Sequence, residues 1–459
     1  MPSQSDIEHL LRRTEFVARP ARVQQLSGLT TIEAVVDDIL DVPTNPGSVT
    51  FTETEDWQRG EELTHYWLDR MAHDSPKPIQ EKMSFFWHGH FCSERGKVGS
   101  AELMREQIDT FRAGALGNLR SLALTMSTQV AMLRYLDNNR NRKSSPNQNF
   151  ARELMELFLL GVGNYTEADV EAATAAWTGH TDDWRTDQYV WRADWHDGST
   201  KQFLGTTINT GADPTQHGYD TINVILGAGV VPIGASVVAN RLRPTREVAA
   251  EFLSKKLWIE FAGTDPPAAV VDAMRQAAIA SDFELTPWLR AMLTHSAFYT
   301  NDVKQGLVRS PLEFVVAALA ATGRHSGQAT PTWLMSGMGQ RPLSPPNVSG
   351  WKHNGYWVNA SAMSKRTDTA RNFAWRSMTG YWDGDGLIHL AGGTISRSEL
   401  QDDYRDRAVE LLDRFLELMQ INLSSSTHQA LATLSQQMSR WERSDLLAMI
   451  LLAPDFHVA

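Results

Sequence analysis

Apolar residues recur at intervals of three and four along most of this chain, which is the pattern of amphipathic helices. Between 189 and 208 the pattern changes to alternation, with Asp197-Gly198 as a turn former, which predicts one two-stranded hairpin. We therefore expect a mainly α-helical, multi-helical globular protein with a small β-hairpin insertion. The predicted helices are 7–16, 31–40, 63–71, 79–91, a helical hairpin at 147–178, 218–226, 235–242, 245–261, 270–280, 287–293, 311–321, 368–381, 398–419, 426–438 and 439–452.

The first helix of the hairpin at 147–178 carries two carboxylates among apolar residues. Glu153 and Glu156 are three positions apart, so they share one face of the helix. Because the helix is apolar nearly all round, we expect both carboxylates to be buried and to need a cation, a metal or several donors. Arg152 lies four positions before Glu156 and can neutralise it. The pair is therefore either an ion-pair lock or part of a catalytic site.

Two histidines, His88 and His90, lie in the aromatic segment 85–91. On a strand they would point the same way and bind one metal, whereas on a regular helix they stand about 200° apart. The segment has a helical pattern, so chelation requires Gly89 to end the helix. The alternative is a pair of core imidazoles, each hydrogen-bonded to a carbonyl or a carboxylate.

His196 lies at the tip of the predicted hairpin. The neighbouring Asp197 is explained by the Asp-Gly turn, but His196 has no such role and is a candidate acid, base or metal ligand. The alternative is an exposed loop histidine. Since a hairpin inserted after Trp177 can fold back over the 147–178 pair, we expect His196 to approach Glu153.

The segment 338–357 is rich in Pro, Gly, Asn and Trp and predicts a long irregular loop. Its aromatic residues must bury their surface somewhere, so we expect the loop to pack over the same cleft as Glu153. Asn347 and Asn359 are then placed to offer amides to a ligand, with Trp351 and Trp357 as aromatic faces. The alternative is a rigid connector that seals two helical layers.

The chain has 459 residues, 42% of them hydrophobic and 21% charged, as in an ordinary globular protein. We predict one large domain over 1–459, with two helical lobes, 1–366 and 367–459, as the alternative division. The net charge of −11 opposes nucleic-acid binding. No apolar run reaches the roughly 20 residues that span a bilayer. With a single cysteine, Cys92, and no export signal at its start, the chain is expected in the cytoplasm.

Several motifs occur in an order that resembles the bacterial family catalogued as domain of unknown function 1800. The resemblance covers approximately residues 5–455, and it implies no particular activity, because none is assigned to the family as a whole. Similar proteins often have His at the positions of Phe158 and Arg243, and many look exported, unlike this chain. The matching segments are Leu10-Leu-Arg-Arg13, Phe86-Trp-His-Gly-His-Phe91, 149–158 with Gly161, 165–170, Thr178-Gly179, His196-Asp197 with Lys201, Leu204-Gly205, Lys256-Leu-Trp258, and 345–351 with Trp357 and Arg366.

These residues predict an enzyme with a His and Glu site in a helical cleft, acting on a small molecule or a saccharide. A divalent metal such as Zn, Fe or Mn suits such ligands and would support hydrolysis or oxidation. One alternative is a metal-free glycoside-type hydrolase that uses the two glutamates. Another is a non-catalytic binding or assembly protein that uses the Trp-rich loop. The candidate residues are Glu153, Glu156 and His196 for catalysis, Asn347, Trp351 and Trp357 for ligand binding, and His88, His90, Glu153 and Glu156 for the metal.

Overall fold

A computed structural model of the chain describes residues 1–44, 46–208, 213–227, 243–329, 331–383, 386–396, 398–400, 404, 407–438 and 445–459. The fold is mainly α-helical, as predicted. Among the described residues, no helix is both long and apolar enough to cross a membrane. Buried apolar side chains from Ile7 to Phe456 pack into one continuous core.

The first half of the chain forms short helices, and not all of them were predicted. A turn of π-helix at Arg70–Asp74 continues α4, and another at Leu154–Leu159 continues α10. The helices are α1 (Gln4–Thr14), α2 (Pro20–Leu26), α3 (Ile32–Leu40), α4 (Asp56–Asp69), α5 (Pro78–His90), α6 (Arg95–Val98), α7 (Ala101–Ala113), α8 (Leu119–Thr128), α9 (Val130–Tyr135), α10 (Asn149–Glu153), α11 (Glu167–Ala176) and α12 (His217–Ile225). Of these, α1, α3, α4, α5, α10, α11 and α12 overlap the predicted ranges, whereas α2 and α6 to α9 were not predicted.

The second half is also helical, and its longest helix, α20, is longer than the predicted 368–381. The predicted helix 235–242 lies outside the described residues, as do parts of 398–419 and 439–452. The helices are α13 (Thr245–Ala262), α14 (Ala268–Ala280), α15 (Leu285–Leu293), α16 (Asn301–Lys304), α17 (Pro311–Thr322), α18 (Ser326–Ala329), α19 (Pro331–Met338), α20 (Ala360–Asp383), α21 (Ala408–Met419), α22 (Ser425–Gln437), α23 (Asp445–Leu452) and α24 (Pro454–His457).

The strand pairing predicted for 189–208 is wrong, because the two halves of that segment belong to different hairpins. The strand β1 (His180–Asp183) pairs with β2 (Gln188–Trp191), and β3 (Lys201–Phe203) pairs with β4 (Thr206–Ile208). Leu204 and Gly205 connect the second pair with φ angles of 48° and 76°, as a two-residue type I′ turn requires. A third hairpin joins β5 (Leu387–Leu390) to β6 (Gly393–Ser396) and was not predicted.

Helix α5 lies at the centre of the part of the fold that carries the candidate site. All of its residues except Gly89 are buried, although it includes the charged residues Glu81 and Lys82. Each finds a partner of opposite charge: Glu81 binds Arg112 and Arg70, and Lys82 binds carboxylates from α13 and α17. Compensation of this kind is required wherever a charge leaves water.

Candidate functional site

A cavity of about 310 Å³ lies between α5, α13, the segment before α17 and the segment 339–357, which we call the Trp-rich loop. Its volume is at the lower end of the range of small-molecule sites. Apolar and charged groups both contribute to its wall. The lining side chains used below are Phe85, Phe86, Leu307, Trp351 and Trp357, which are apolar or aromatic, and Lys82, His90, Lys256, Glu260, Glu313, Lys352 and His353, which are charged or titratable.

The Trp-rich loop packs on α5 instead of extending into solvent, but the cavity that it covers is not lined by Glu153, so the expected shared cleft is not formed. The indole of Trp351 stacks on the ring of Phe85 with centroids 5.0 Å apart and planes 17° apart. Gly350 approaches so closely that a Cβ atom there would lie 2.3 Å from the carbonyl oxygen of Gly89, and its φ is 73°. Trp351 and Trp357 are 6% and 2% exposed. The loop therefore forms a fixed wall of the cavity.

The indole N–H groups of Trp351 and Trp357 are both buried and have no hydrogen-bond partner among the described residues. Buried indole N–H groups usually have an acceptor. The side-chain oxygens of the two asparagines predicted to face a ligand are used locally, one within the loop and the other at the start of α20. The side-chain oxygen of Asn347 accepts from the N–H of Ser349, and that of Asn359 accepts from the N–H of Ala362.

A buried ion network lies along one wall of the cavity. The ammonium of Lys82 contacts Glu313 of α17 and lies 3.0 Å from Oε1 of Glu260 in α13. The second oxygen of Glu260 lies 3.2 Å from Nδ1 of His353, in the Trp-rich loop. Burial alone would raise the pKa of Glu260, but Lys82 and His353 hold it well below its ordinary value. Burial opposes the charge of Lys82, but the two carboxylates raise its pKa to about 12.

Lys256 and His90 form a second pair at the cavity wall. The imidazole Nε2–H of His90 donates to the carbonyl of Phe158 at 2.9 Å, which leaves Nδ1 as an acceptor 3.4 Å from Nζ of Lys256. Lys256 also donates to the carbonyl of Leu157 at 2.7 Å. Both carbonyls belong to the last π-helical turn after α10, where backbone acceptors lack intrahelical donors. Burial lowers the pKa of Lys256 to about 8. Burial also lowers the pKa of His90 well below its ordinary value.

The predicted chelation by His88 and His90 is not supported by their positions. Helix α5 continues through His90, so Gly89 does not end it and the two rings point apart. Nε2 of His88 accepts from the backbone N–H of Leu343 at 3.1 Å inside an aromatic cluster. Across the described parts of the chain, no three His, Cys, Asp or Glu side chains lie close enough to hold a metal. The predicted ligands do not form one set.

Glu153 and Glu156 are partly exposed, so the prediction that both are buried is wrong. The predicted pairing of Arg152 with Glu156 is also wrong, because Arg152 binds Glu167 at 2.8 Å. Glu156 instead accepts from the hydroxyl of Tyr165 at 2.7 Å. Burial, with a smaller contribution from Glu156, raises the pKa of Glu153. The partly exposed positions 152, 153, 156 and 157 recur at the spacing of one helix face, so the two glutamates lie on the outer side of the helix.

His196 is buried rather than exposed at a hairpin tip. Its Nδ1–H donates to the carbonyl of Thr178 at 2.8 Å, and its Nε2 accepts from Nδ1 of His217 at 2.8 Å. Among the described residues, no hydrogen bond joins His196 to Glu153 or Glu156. The expected constellation of His196 and the glutamates therefore does not form. Thr178 can bind the imidazole because it lies just after α11, next to β1, and the segment that follows β2 packs against it.

Four charged residues of the cavity were missed by sequence reasoning: Lys82, Lys256, Glu260 and Glu313. A signal was present for Glu313, which is the only charged residue of α17, in an otherwise apolar helix except for Thr322. Its capping box with Ser310 is enough to explain a glutamate at this position, so the sequence gives no reason to expect its ion pair with Lys82. Lys256 and Glu260 are four positions apart, a spacing that suggests an exposed ion pair. Instead each bonds elsewhere.

No curated protein and no solved structure matches the chain significantly. The resemblance found in the sequence motifs is confirmed over almost the whole chain. A family model described as a protein of unknown function, DUF1800, matches residues 9–458, and the chain therefore belongs to this family.

Proposed function

We propose that this protein is an enzyme that binds a small molecule in the cavity and uses Lys256 as its acid–base group. The environment of Lys256 carries the proposal. Its two hydrogen-bond acceptors, the Leu157 carbonyl and the His90 ring, are both neutral, and its pKa falls to about 8. A general acid or base works best when its pKa lies near the working pH. An ordinary lysine, with a pKa near 10.4, is almost fully protonated there.

In this proposal, the ammonium of Lys256 donates a proton to the bound substrate, and the neutral amine then recovers a proton from water. The contacts with Leu157 and His90 account for two of the three directions around Nζ, which leaves the third for the substrate. His90 is a positioning residue. Its Nε2–H is held by Phe158, so its Nδ1 lone pair stays directed at Lys256. The Trp-rich loop covers the reacting groups and limits their contact with water.

The metal-dependent and glycosidase versions of an enzyme receive less support. The four predicted metal ligands do not converge, as described above. Glu153 and Glu156 do not line the cavity, and Glu156 is engaged by Tyr165. In both of these proposals the two glutamates would therefore lie away from the aromatic side chains of the cavity, which a substrate would contact. We expect turnover to continue in the presence of a strong chelator.

Turnover by purified protein tests the proposal. The wild type, Lys256→Met and Lys255→Met are incubated with small-molecule extracts, and disappearing compounds are identified by mass spectrometry. Lys255 is a matched control because it is the adjacent residue, is exposed and binds Glu251 at 2.6 Å. We expect turnover by the wild type and Lys255→Met, but none by Lys256→Met. Equal turnover by all three would refute the role of Lys256.

The proposed positioning role of His90 requires a measurement that would not change if the substitution only weakened the packing. Competitive labelling of amines across a pH series gives the apparent pKa of Lys256, with Lys255 as the internal reference. In His90→Phe the ammonium loses its imidazole acceptor, so we expect the labelling profile of Lys256 to shift while that of Lys255 is unchanged. An unchanged profile for Lys256 would show that His90 has no positioning role.

A non-catalytic binding protein is a second candidate, because the end of the Trp-rich loop and the residue that follows it face solvent. Tyr356 and Val358 are 60% and 58% exposed, next to the buried Trp357. Exposed apolar groups beside a fixed loop are typical of interaction sites. Binding of a small molecule by folded protein, without any turnover in the extracts, would favour this function over the enzyme.

A further inference from the structure

We infer that the ligand of the cavity is a small organic carboxylate with an apolar or aromatic body. The inference rests on the proposed use of the cavity as a small-molecule site, and it names the class of substrate. It follows from three independent features of the wall: unsatisfied donors, an excess of buried positive charge, and the apolar surfaces between them.

The donors are the two indole N–H groups of Trp351 and Trp357. Both tryptophans line the cavity, both are more than nine-tenths buried, and neither N–H has an acceptor among the described residues. Leaving a buried donor unsatisfied costs about 1–3 kcal/mol. An acceptor-rich ligand in the cavity removes this cost, and a carboxylate offers two oxygens with several lone pairs.

The ammonium of Lys256 has no carboxylate partner in the described parts of the chain. Glu260, four positions later on α13, is engaged by Lys82 and His353 instead. Glu313 is engaged by Lys82 and accepts from the backbone N–H of Ser310. Both carboxylates of the cavity wall are therefore committed, and the charge of Lys256 is met by neutral acceptors alone. An anionic ligand would supply the missing counter-charge.

The positive excess extends behind the wall. Among the described residues, Glu313 is the carboxylate that supports the charge of three buried arginines, and their guanidinium groups otherwise donate to backbone carbonyls or to His457. Together with Lys82 and Lys256, and without the exposed Lys352, they make five cationic side chains around two carboxylates. In a chain of net charge −11, this local excess favours an anion in the cavity. The cationic residues are Arg13, Lys82, Lys256, Arg309 and Arg366, and the carboxylates are Glu260 and Glu313.

The remaining wall selects the kind of anion. No arginine is among the lining residues, whereas phosphate is most often held by several Arg or by a row of backbone N–H groups. Of the three lining lysines, Lys82 is neutralised by Glu260 and Glu313 and Lys352 is exposed, which leaves the ammonium of Lys256 and the two indole donors. This set matches a singly charged carboxylate better. Phe85, Phe86 and Leu307 line the rest of the space and suit an apolar or aromatic body.

Matched probes test the inference without knowledge of the natural substrate. Binding of cinnamate, cinnamamide and inorganic phosphate is measured by calorimetry and by ligand-detected NMR. For the wild type we expect cinnamate to bind about tenfold more tightly than the amide, as charge-assisted hydrogen bonds are about twice as strong as neutral ones. The preference should decrease as the pH rises through about 8, where Lys256 loses its proton.

Variants locate the binding. Lys256→Met should bind the acid and the amide equally, while Lys255→Met should keep the tenfold preference. A preference that survives in Lys256→Met would overturn the inference, as would equal binding of acid and amide by the wild type, phosphate binding without cinnamate binding, or no binding of any probe. If a carboxylate preference is found without turnover in the extracts, the proposed enzyme fails and the ligand class stands. If turnover is found without a carboxylate preference, the inferred ligand class fails and the proposed enzyme stands.

Discussion

In the Lys256→Met variant the cavity loses its unpaired ammonium but keeps most of the aliphatic stem. Lys256 is half-buried, and burial lowers its pKa from 10.5 to about 8. The native state therefore holds this proton less tightly than the unfolded chain does. The resulting destabilisation is fully present below about pH 8 and disappears as the pH rises from there to about 10.5.

The size of this effect follows from the two pKa values. At about 1.36 kcal/mol for each pH unit, they correspond to a ceiling of about 3 kcal/mol in the free energy of unfolding. Because Lys256 keeps part of its surface in contact with solvent, screening reduces this ceiling, and we expect about 1–2 kcal/mol. The wild type should thus gain about 1–2 kcal/mol relative to Lys256→Met between about pH 7 and about pH 10.

Urea unfolding of both proteins across this pH range measures the difference directly, provided that the m-values agree. Lys255→Met is the control, because the side chain of Lys255 is 50% exposed and its ammonium is paired with Glu251. Its difference from the wild type should stay constant with pH. A constant difference for Lys256→Met as well would show that its ammonium is not destabilised in the native state, and the electrostatic basis of the proposed site would be lost.

Three further substitutions test the packing and the buried charges. Gly350→Ala places a Cβ against the Gly89 carbonyl at a φ of 73°, so it should lower the free energy of unfolding by about 2 kcal/mol or more, whereas Gly355→Ala, with open space around it, should change little. Glu313→Gln removes one of the two counter-charges of Lys82, and it should lower the free energy of unfolding, measured by chemical unfolding, by about 3 kcal/mol. The more exposed pair of Glu8 and Arg12 should contribute less than about 1 kcal/mol, and a loss that small for Glu313→Gln would contradict the buried network. Burial lowers the pKa of His88 to about 3, so folding favours the neutral imidazole and the free energy of unfolding decreases as the pH falls below about 6.5. His88→Gln should abolish this decrease, which amounts to about 2 kcal/mol between about pH 6.5 and pH 5. If the variant loses stability in acid as the wild type does, the assignment is contradicted.

Local patterns were sufficient to predict most of the helices. The capping box of Thr166 and Asp169, which opens α11, can be read from the sequence because its hydrogen bonds join residues only three positions apart. The predicted ranges 311–321 and 245–261 likewise agree with α17 and α13 to within one residue at each end. The burial of Trp351 and Trp357 was predictable too, since large aromatic surfaces leave water wherever the chain permits it.

The hairpins and the glutamate pair show where local patterns fail. The alternation between 189 and 208 marks strands but does not identify their partners: β2 pairs with β1, which lies before this segment, and β3 pairs with β4 at its end. Glu153 and Glu156 lie on the partly exposed face of their helix, and the apolar composition of the segment does not show which face the rest of the protein leaves uncovered. Both errors concern which other elements pack against a segment.

By itself the sequence determined the helical class, the approximate positions of many helices, the burial of the two tryptophans of the Trp-rich loop and the membership of the DUF1800 family. The tertiary structure alone decided which charges share the cavity. Lys82 and Glu313 are separated by 231 positions, and Lys256 meets His90 across 166 positions. The physical reason is that a side chain's pKa and partners depend on what other elements bring within a few ångströms, whereas a periodic pattern records only the neighbours along one helix or strand.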